Sequence, residues 1–496
     1  MATSKYTIKV HKPWTEIVTK KRAIRDAQID KHLKVDINFQ FDSISLETVD
    51  VEGLTGLLRE GKVSAVQVIY AFIRREVDIT TNCLTEICFD DALQQARKLD
   101  GFRQEHGQLI GPLHGVPVTV KDQFNIRGLD STLGYVAKAF APAENDAPLI
   151  ETLKKLGAVI IAKTNLPQSI MWCETDNPLW GLTTHPDDPK LTPGGSSGGE
   201  AAMLSMGASI IGWGKDIGGS IRIPCHMNGL WGLKPSHIPS AVGPMARSLS
   251  YPQLPPVPWR DSIFQTMATR PLVIGAMLDD GIVKVHPPIE RVFRDLITKL
   301  EAAGHDVVQW DSSLNSSIID IMDGYYSADG GEDVRRAVSA GGEPFIPQIE
   351  AFVNRGTPIS VFEYWQLNKR KIAIQEAYHD MWEAKKSPSG RSVDILLVPT
   401  MPHTAVPHGS CRWTGYTKIF NLLDYTALTF PAGKASRNEN DGGFWEHVPR
   451  NKIDAWNQQL YDPVAMEGRH VGLQIVGRRF EEEKVLGAAQ QIYRLL

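Results

Sequence analysis

Cysteine is scarce in this chain, and the few cysteines are scattered. The 496 residues include five cysteines, with no Cys-x-x-Cys pair and no His-Cys spacing typical of a zinc site. Small secreted domains, by contrast, carry many paired cysteines that form a disulfide framework. The sequence therefore argues against a disulfide scaffold and a structural zinc site, and it predicts a reducing compartment, most simply the cytoplasm.

Long apolar segments are lacking as well. No run approaches the roughly 20 apolar residues that a membrane-spanning helix needs. The first segment, MATSKYTIKVHKPWTEIVTKKRAIRDAQ, has no apolar core of the kind found in secretory signals. We therefore expect no transmembrane anchor.

An excess of charge of one sign is also missing. The chain has 53 basic and 57 acidic residues, a formal net charge of −4, and no basic block long enough to act as a tail. A basic surface is the usual mark of nucleic-acid binding, so we expect no nucleic-acid partner. The hydrophobic fraction of 42% and the charged fraction of 22% are typical of a globular protein with a large core.

Apolar strands alternate with helices along the chain. Residues 118–120 read as a buried strand that ends at Lys121, residues 147–156 as a helix that stops at Gly157, and residues 158–162 as the next strand. This alternation is typical of a parallel or mixed sheet. The pattern predicts an α/β fold built on a parallel or mixed sheet.

The two ends of the chain differ in composition. Residues 1–50 are mixed and charged, and we predict an N-terminal helical arm there, with residues 51–496 forming the main domain. Ser64 is placed to cap a helix that continues to about residue 75. Residues 435–457 are polar and are predicted to form an exposed loop.

Two serines stand between glycines in one stretch of the chain. Ser196 lies in GGSSGGE and Ser220 in KDIGGSIRIP. Glycines beside a serine let backbone N–H groups approach a ligand, because no Cβ obstructs them. The N–H groups of Ile217, Gly218, Gly219 and Ser220 could then form an oxyanion hole, the arrangement that stabilises a developing negative charge.

A serine needs a base before it can attack, and Lys121 is a candidate. A lysine at the end of an apolar strand is partly desolvated, which lowers its pKa and makes the neutral amine available. The alternative is a lysine whose stem is buried and whose ammonium reaches water. If Lys121 is buried, Ser196 can pass a proton between it and Ser220, since a hydroxyl both donates and accepts.

The sequence also bears on three other kinds of site, namely a phosphate-binding loop, a Ser-His-Asp hydrolase and a metal hydrolase. GGSSGGE is not a phosphate-binding loop, because Glu200 stands where lysine is needed. The G-x-S-x-G pattern around Ser196 leaves a Ser-His-Asp hydrolase open, with His470 as the base, although no strand precedes the serine. His403 and His408 lack the spacing of a metal hydrolase.

The serine segments carry a resemblance to a known family. TPGGSSGGE, KDIGGSIRIP and the upstream GPLHGVPVTVKD resemble the amidase signature family, and the intervals of 75 residues from Lys121 to Ser196 and 24 from Ser196 to Ser220 also match it. Three further segments are similar to fungal acetamidase-type amidases, namely TNCLTEICFDDAL, ETDNPLWGLTTHP and DDGIVKVHPP.

The resemblance implies the amidase signature fold, namely a single large α/β domain with a twisted mixed β-sheet core covered by helices on both faces, with residues 51–496 as the catalytic domain. It also implies hydrolysis of a small-molecule carboxylic amide through an acyl-enzyme. Ser220 would be the nucleophile, Ser196 the bridging serine, and Lys121 the base and later the acid. No metal or organic cofactor is implied, and a homodimer is compatible with the family.

The resemblance also implies roles for the surrounding residues. The peptide bond at Ser196 is expected to be cis, and Ile170 is expected to line the acyl pocket. Asp216 and Arg222 flank the nucleophile and are expected to brace its turn through an ion pair, and Ser197 belongs with them in the supporting layer.

The chain departs from the family in three places. Lys215 stands where relatives carry threonine, and it either lowers the pKa of Lys121 or points to solvent, the second being favoured. Residues 237–238 and 247–259 are shorter than in the family. These gaps leave open a catalytically impaired member with a binding role. An acyl-transfer enzyme is a second alternative, because the same triad would serve that reaction. The preferred acyl groups are predicted to be small or medium.

Overall fold

The computed structural model describes residues 13–33, 49–74, 79–236, 241–248, 258–437, 445 and 447–496. In these ranges the chain forms one sheet of eleven strands. The strands are β1 (Leu84–Ile87), β2 (Pro117–Lys121), β3 (Val159–Thr164), β4 (Ile211–Asp216), β5 (Trp231–Lys234), β6 (Ala241–Ala246), β7 (Val273–Ala276), β8 (Asp306–Gln309), β9 (Ile395–Pro399), β10 (Thr426–Lys434) and β11 (His470–Gly477).

The sheet is mixed, as predicted. Its strand order is β1-β3-β2-β4-β6-β5-β10-β11-β9-β7-β8. Strands β3, β2 and β4 are parallel neighbours near one edge, and β9, β7 and β8 are parallel neighbours at the other. The strands between β4 and β9 pair antiparallel. The sheet therefore has a parallel group at each side of an antiparallel centre.

Sixteen α-helices surround this sheet in the part of the chain that the structure describes. They are α1 (Trp14–Leu33), α2 (Val51–Glu60), α3 (Ala65–Arg74), α4 (Phe89–His106), α5 (Pro148–Lys155), α6 (Gly198–Ser205), α7 (Arg222–Asn228), α8 (Asp261–Thr269), α9 (Pro287–Ala302), α10 (Asn315–Tyr326), α11 (Glu332–Gly341), α12 (Pro347–Val353), α13 (Val361–Ala384), α14 (Gly415–Leu422), α15 (Lys452–Gln459) and α16 (Glu482–Tyr493).

The hydrophobic core has two main parts along the one sheet. The first is built from residues between Ile29 and Trp213, and the second from residues between Trp231 and Ile492. Every residue of β2, β3 and β9 is buried, so both faces of the sheet are covered there. The segment from the end of β4 through α7 lies in sequence between the two parts.

Local signals in the sequence explain where several helices begin. Ser64 Oγ accepts a hydrogen bond from the backbone N–H of Gln67 at 3.1 Å, and Gln67 Oε1 accepts one from the N–H of Ser64 at 2.8 Å. This reciprocal cap satisfies N–H groups that a helix start leaves unpaired. The predicted cap at Ser64 is confirmed.

The described helix of the N-terminal arm packs on the main domain. Lys21 is buried and pairs with Glu86 at 2.6 Å and Asp130 at 2.7 Å. Arg22 Nε donates to the carbonyl of Leu179 at 2.7 Å. The division of the chain at residue 50 remains a prediction.

One sequence prediction is wrong in part. Residues 435–457 were expected to form a loop, but α15 begins at Lys452 because Asn451 caps it, accepting from the N–H groups of Ile453 and Asp454. Residues 438–444 and 446 lie outside the described residues, as do 237–240 and 249–257, which contain most of the two segments expected to be short.

The remaining global expectations concern thiols and the membrane. All five cysteines are free and buried, in agreement with the absence of a disulfide scaffold. Within the described ranges, no helix has the length and apolarity required to cross a bilayer.

Candidate active site

Two neighbouring parallel strands bring distant residues to one edge of the sheet. Lys121 is the last residue of β2, and Ser220 follows the end of β4, which pairs with β2 so that Val118 lies opposite Ile211. Parallel strands present their carboxyl ends on the same side, which is where α/β proteins commonly place their sites. The register thus explains why residues about a hundred positions apart meet.

The turn before α6 adds Ser196. Its peptide bond with Gly195 is cis, as the resemblance implied. Lys121 Nζ donates to Ser196 Oγ at 2.7 Å, and both side chains are buried. The backbone N–H of Ser197 donates to the carbonyl of Ser220 at 3.1 Å, which joins the two serine segments. The three residues expected to act together therefore lie in one place.

Lys121 is fully buried, so the alternative of a lysine head in water is wrong. Burial lowers the pKa of Lys121 to about 7, because the charged form loses its hydration, while the carboxylate of Asp216 opposes the shift. A substantial fraction of this amine is therefore neutral near neutral pH and can accept a proton.

Lys215 corrects a second expectation. Its side chain is half-buried rather than solvated, with Nζ 5.6 Å from the centre of the Phe124 ring. Its positive charge acts on Lys121 in the same direction as burial and lowers the pKa further. The favoured expectation failed because the ring that covers Lys215 belongs to a separate loop.

Glu200 is a buried carboxyl beside this pair that the sequence reasoning did not assign. Thr119 and Thr164 donate their hydroxyl hydrogens to it, the second at 2.8 Å. Burial raises the pKa of Glu200 to about 7. Its place inside the GGSSGGE motif was the one signal in the sequence that could have indicated a role for Glu200. Its burial and bonding depend on two threonines from β2 and β3, which the motif does not reveal.

Behind Ser220, an ion pair joins Asp216 and Arg222. Arg222 Nε donates to Asp216 Oδ2 and Nη2 to Oδ1, both at 3.0 Å, and both side chains are fully buried. Burial favours the neutral carboxyl, but the arginine outweighs it and holds the pKa of Asp216 well below its usual range. Asn421 and Gln474 accept from the other guanidinium hydrogens at 2.7 and 3.0 Å.

Removing the charge of Asp216 should destabilise the protein. Asp216→Asn leaves a buried guanidinium without its counter-charge, which typically costs about 3 kcal/mol or more. We expect a clearly lower thermal unfolding midpoint, measured by circular dichroism.

The matched control is Glu290→Gln, which breaks the exposed pair between Glu290 and Arg294 at 2.8 Å. Exposed pairs contribute less than about 1 kcal/mol, so this variant should melt close to the wild type. Equal midpoints for the two variants would contradict the bracing role of Asp216.

The turn from Ile217 to Ser220 is shaped by its glycines. Gly219 has φ 127°, and a Cβ there would collide with Thr417. Its N–H donates to Asp216 Oδ1 at 2.8 Å, so the structure commits this group to the brace and does not favour the oxyanion role expected of Gly219. Among the described residues, no acceptor is bonded to the N–H of Ile217, Gly218 or Ser220.

Two residues of the second half of the chain hold this turn. Tyr326 donates its hydroxyl hydrogen to the carbonyl of Ile217 at 2.6 Å. Thr417 Oγ1 donates to the carbonyl of Gly218 at 2.7 Å. With both carbonyls held, the N–H groups of the turn are fixed in direction.

Ser197 also lies in the buried layer behind the turn. Its hydroxyl has no hydrogen-bond partner among the described residues, and a Cβ on Gly214 would approach it to 2.7 Å. The glycine on β4 therefore provides the space that the Ser197 side chain occupies.

A cleft of about 320 Å³ opens onto Ser220, which is 8% exposed. Ile170 lines it, as the resemblance implied, with a φ of 61° that branched residues rarely adopt. Other apolar side chains around the cleft are Met171, Trp172, Ile217, Phe352 and Trp413.

The histidines of the rejected chemistries lie elsewhere. His470 begins β11 and lies against Gly229, and it is not among the residues that line the cleft. The side chain that contacts Ser196 Oγ is Lys121. The Ser-His-Asp alternative is therefore not supported by this geometry.

The chain is similar to a protein family and to several known proteins. A family model described as Amidase matches residues 67–250 and 240–486. Amidase 2 of Gibberella moniliformis is 76% identical over 98% of both chains, and an acetamidase of Emericella nidulans is 34% identical over 97% of this chain and 98% of its own. A solved fatty acid amide hydrolase has a TM-score of 0.88 and 29% identity, covering 98% of this chain and 95% of its own.

The alignment with Amidase 2 spans 520 residues, more than the 496 of this chain. It therefore contains positions at which this chain has no residue.

Proposed function

The chain belongs to the amidase signature family and is an amide hydrolase, and from this premise we propose that Ser220, Ser196 and Lys121 hydrolyse a carboxylic amide through an acyl-enzyme. The observation that carries the proposal is the 2.7 Å hydrogen bond from Lys121 Nζ to Ser196 Oγ, beside a cleft lined by Ser220. The proposal requires no metal or organic cofactor.

In the first step, the Ser220 oxygen attacks the carbonyl carbon of the amide. Its proton passes to Ser196, whose own proton passes to the neutral amine of Lys121. The electron pair of the carbonyl bond moves to its oxygen, and the free N–H groups of Ile217, Gly218 and Ser220 stabilise that charge. Ser196 then protonates the amide nitrogen while Lys121 returns a proton to Ser196, and the C–N bond breaks to release ammonia or an amine.

In the second step, a water molecule attacks the ester on Ser220. The proton of the water passes through Ser196 to Lys121, and a second oxyanion forms in the same N–H groups. The bond between Ser220 and the acyl carbon then breaks, Ser220 regains its proton from Ser196, and the carboxylic acid leaves. The two steps consume one water for each amide.

The volume of the cleft bears on the size of the substrate. A volume of about 320 Å³ lies at the small end of the roughly 300–1,000 Å³ usual for ligand pockets, which supports small or medium acyl groups. Cytoplasmic placement and a homodimer remain predictions from the sequence.

Interception of the acyl-enzyme tests the proposal. Hydroxylamine added during turnover should divert part of the acyl group to a hydroxamate, because a stronger nucleophile competes with water for the same ester. Peptide mass spectrometry of the quenched reaction should locate the acyl group on Ser220. An acyl group found on another residue would contradict the assignment.

The same reaction separates the two alternatives, neither of which the comparisons support. An acyl-transfer enzyme would consume amide only when an acceptor amine is present. A catalytically impaired member would fold but form neither acid nor hydroxamate. Release of acid with water alone is the result expected here.

A further inference from the structure

The cleft that opens onto Ser220 carries more positive than negative charge. Among the described residues, its lining includes Arg355, Arg412 and Lys418 and one acidic residue, Asp323. Lys418 Nζ pairs with Asp323 at 2.7 Å, so these two charges offset each other. Neither arginine forms an ion pair with any carboxylate of the described residues, which leaves a surplus of two positive charges around the cleft.

Arg412 is held in place although it is exposed. Its guanidinium carbon lies 3.6 Å from the centre of the Trp456 ring, a stacking contact that restricts the side chain. Glu174 accepts hydrogen bonds at 2.8 Å from the N–H groups of Gly409 and Cys411, which fixes the backbone next to it. Burial raises the pKa of Glu174 to about 7, so its own charge is partly lost near neutral pH.

Arg355 faces the same space from another part of the chain, two residues after α12. Burial lowers the pKa of Lys418, and the charge of Arg355 acts in the same direction, while Asp323 and Asp320 oppose it. Arg355 is thus near enough to Lys418 for their charges to interact. The two arginines therefore contribute to one field over the cleft.

The rest of the lining is largely apolar, with Trp172, Trp413 and Phe352 among its members. Such a cleft suits a molecule with an apolar body and an anionic end, because guanidinium groups bind carboxylates through paired, charge-assisted hydrogen bonds. A neutral amide would leave both arginines without a partner.

Resting on the function proposed above, we propose that the preferred substrates are amides that also carry a carboxylate, bound by Arg355 and Arg412. The carboxylate belongs either to the acyl part or to the amine part of the substrate. In both cases the reaction consumes one water and leaves the carboxylate unchanged. The fragment that carries the carboxylate therefore has one more negative charge than the corresponding product of a neutral amide.

Matched benzylamides test the proposal by charge. The neutral reference is the benzylamide of butyric acid, and the mono-benzylamide of succinic acid places a carboxylate on the acyl side. A butyryl benzylamide with a ring carboxylate places it on the amine side, and the benzylamide of γ-aminobutyric acid is the cationic analogue. Release of the benzylamine gives kcat/KM for each.

We expect at least one carboxylated amide to exceed the neutral one by roughly tenfold or more, with the cationic amide the poorest. The preference should shrink as sodium chloride is raised, because salt screens exposed charges. A neutral or cationic amide that equals or exceeds both carboxylated ones would overturn the proposal, while its hydrolysis would leave the amidase function intact.

Variants assign the effect to the two arginines. Arg355→Gln and Arg412→Gln should each reduce the ratio of kcat/KM for the preferred carboxylated amide to kcat/KM for the neutral amide by roughly tenfold. Arg412→Lys keeps the charge and should retain part of the preference. Arg336→Gln is the matched control, since Arg336 is exposed, pairs with Glu332 at 2.7 Å and lies outside the cleft lining.

The outcomes separate the two levels of inference. Loss of the preference in Arg355→Gln and Arg412→Gln, but not in Arg336→Gln, supports the proposal. A preference that survives in the double variant Arg355→Gln/Arg412→Gln overturns it. Failure of the wild type to hydrolyse any of the four amides, or to form an acyl-enzyme at Ser220, would instead count against the proposed function itself.

Discussion

Ser220→Ala should abolish both amide turnover and covalent labelling by a fluorophosphonate probe. Without the hydroxyl no acyl-enzyme can form, and the loss of a nucleophile in a comparable serine hydrolase lowers kcat by roughly 10⁴-fold or more. The change removes one buried oxygen from a turn whose shape depends on Asp216, Tyr326 and Thr417, so the fold should persist.

The measurement pairs steady-state release of amine with gel detection of the labelled protein. Ser205→Ala serves as the matched control, because Ser205 ends α6 in the same region, is half-buried and has no place in the site. It should be labelled and active like the wild type. Undiminished labelling of Ser220→Ala would refute the assignment of the nucleophile.

Lys121→Met should lower kcat by roughly 10³-fold or more, because it removes the proposed base and later acid but preserves the length of the side chain. The hydrogen bond to Ser196 Oγ disappears with the amine. Thermal unfolding should show a folded protein, since methionine places no uncompensated charge in the buried site.

The pH dependence distinguishes a base from a packing role. Lys121 must be neutral to accept a proton, and its pKa is about 7, so wild-type kcat/KM should fall as the pH drops below that value. The residual activity of Lys121→Met should lack this step.

Lys215→Met provides the companion test of the electrostatics. It removes a positive charge that lowers the pKa of Lys121, so the fall in kcat/KM should occur at higher pH than in the wild type. For the Lys121 variant, a pH profile of kcat/KM that matches the wild type would show that a group other than Lys121 is the base.

The sequence singled out the candidate site residues more readily than the residues that surround them. Lys121, Ser196 and Ser220 could be proposed as candidates because glycine-flanked serines and a lysine ending an apolar strand are local patterns. The parallel pairing of β2 with β4 then brings them together. The α/β class was predictable for the same reason, since apolar strands alternate with helices.

The residues that shape the site were beyond such patterns. Tyr326 lies 109 positions after the Ile217 carbonyl that it binds, and Gln474 lies 252 positions after Arg222. Nothing near either residue in the chain indicates that contact. Strand β6, with the sequence AVGPMA, was missed because glycine and proline in its middle disguise a strand that pairs on both sides.

The environment of Lys215 was mispredicted for a related reason. Lys215 lies in β4, and its burial depends on Phe124 from the loop after β2. Contacts that close only in three dimensions decide whether a charged side chain reaches water.

The hydrogen bonds from Arg222 to Asn421 and Gln474 have a consequence for how this enzyme can change over time. They make the loop that carries Ser220 depend on residues of α14 and β11. The two parts of the core therefore cannot diverge independently, and a chimera that joins residues before β5 to the remainder of a distant homologue should be inactive unless both amides are retained. Inheritance of the catalytic loop alone would not transmit the activity.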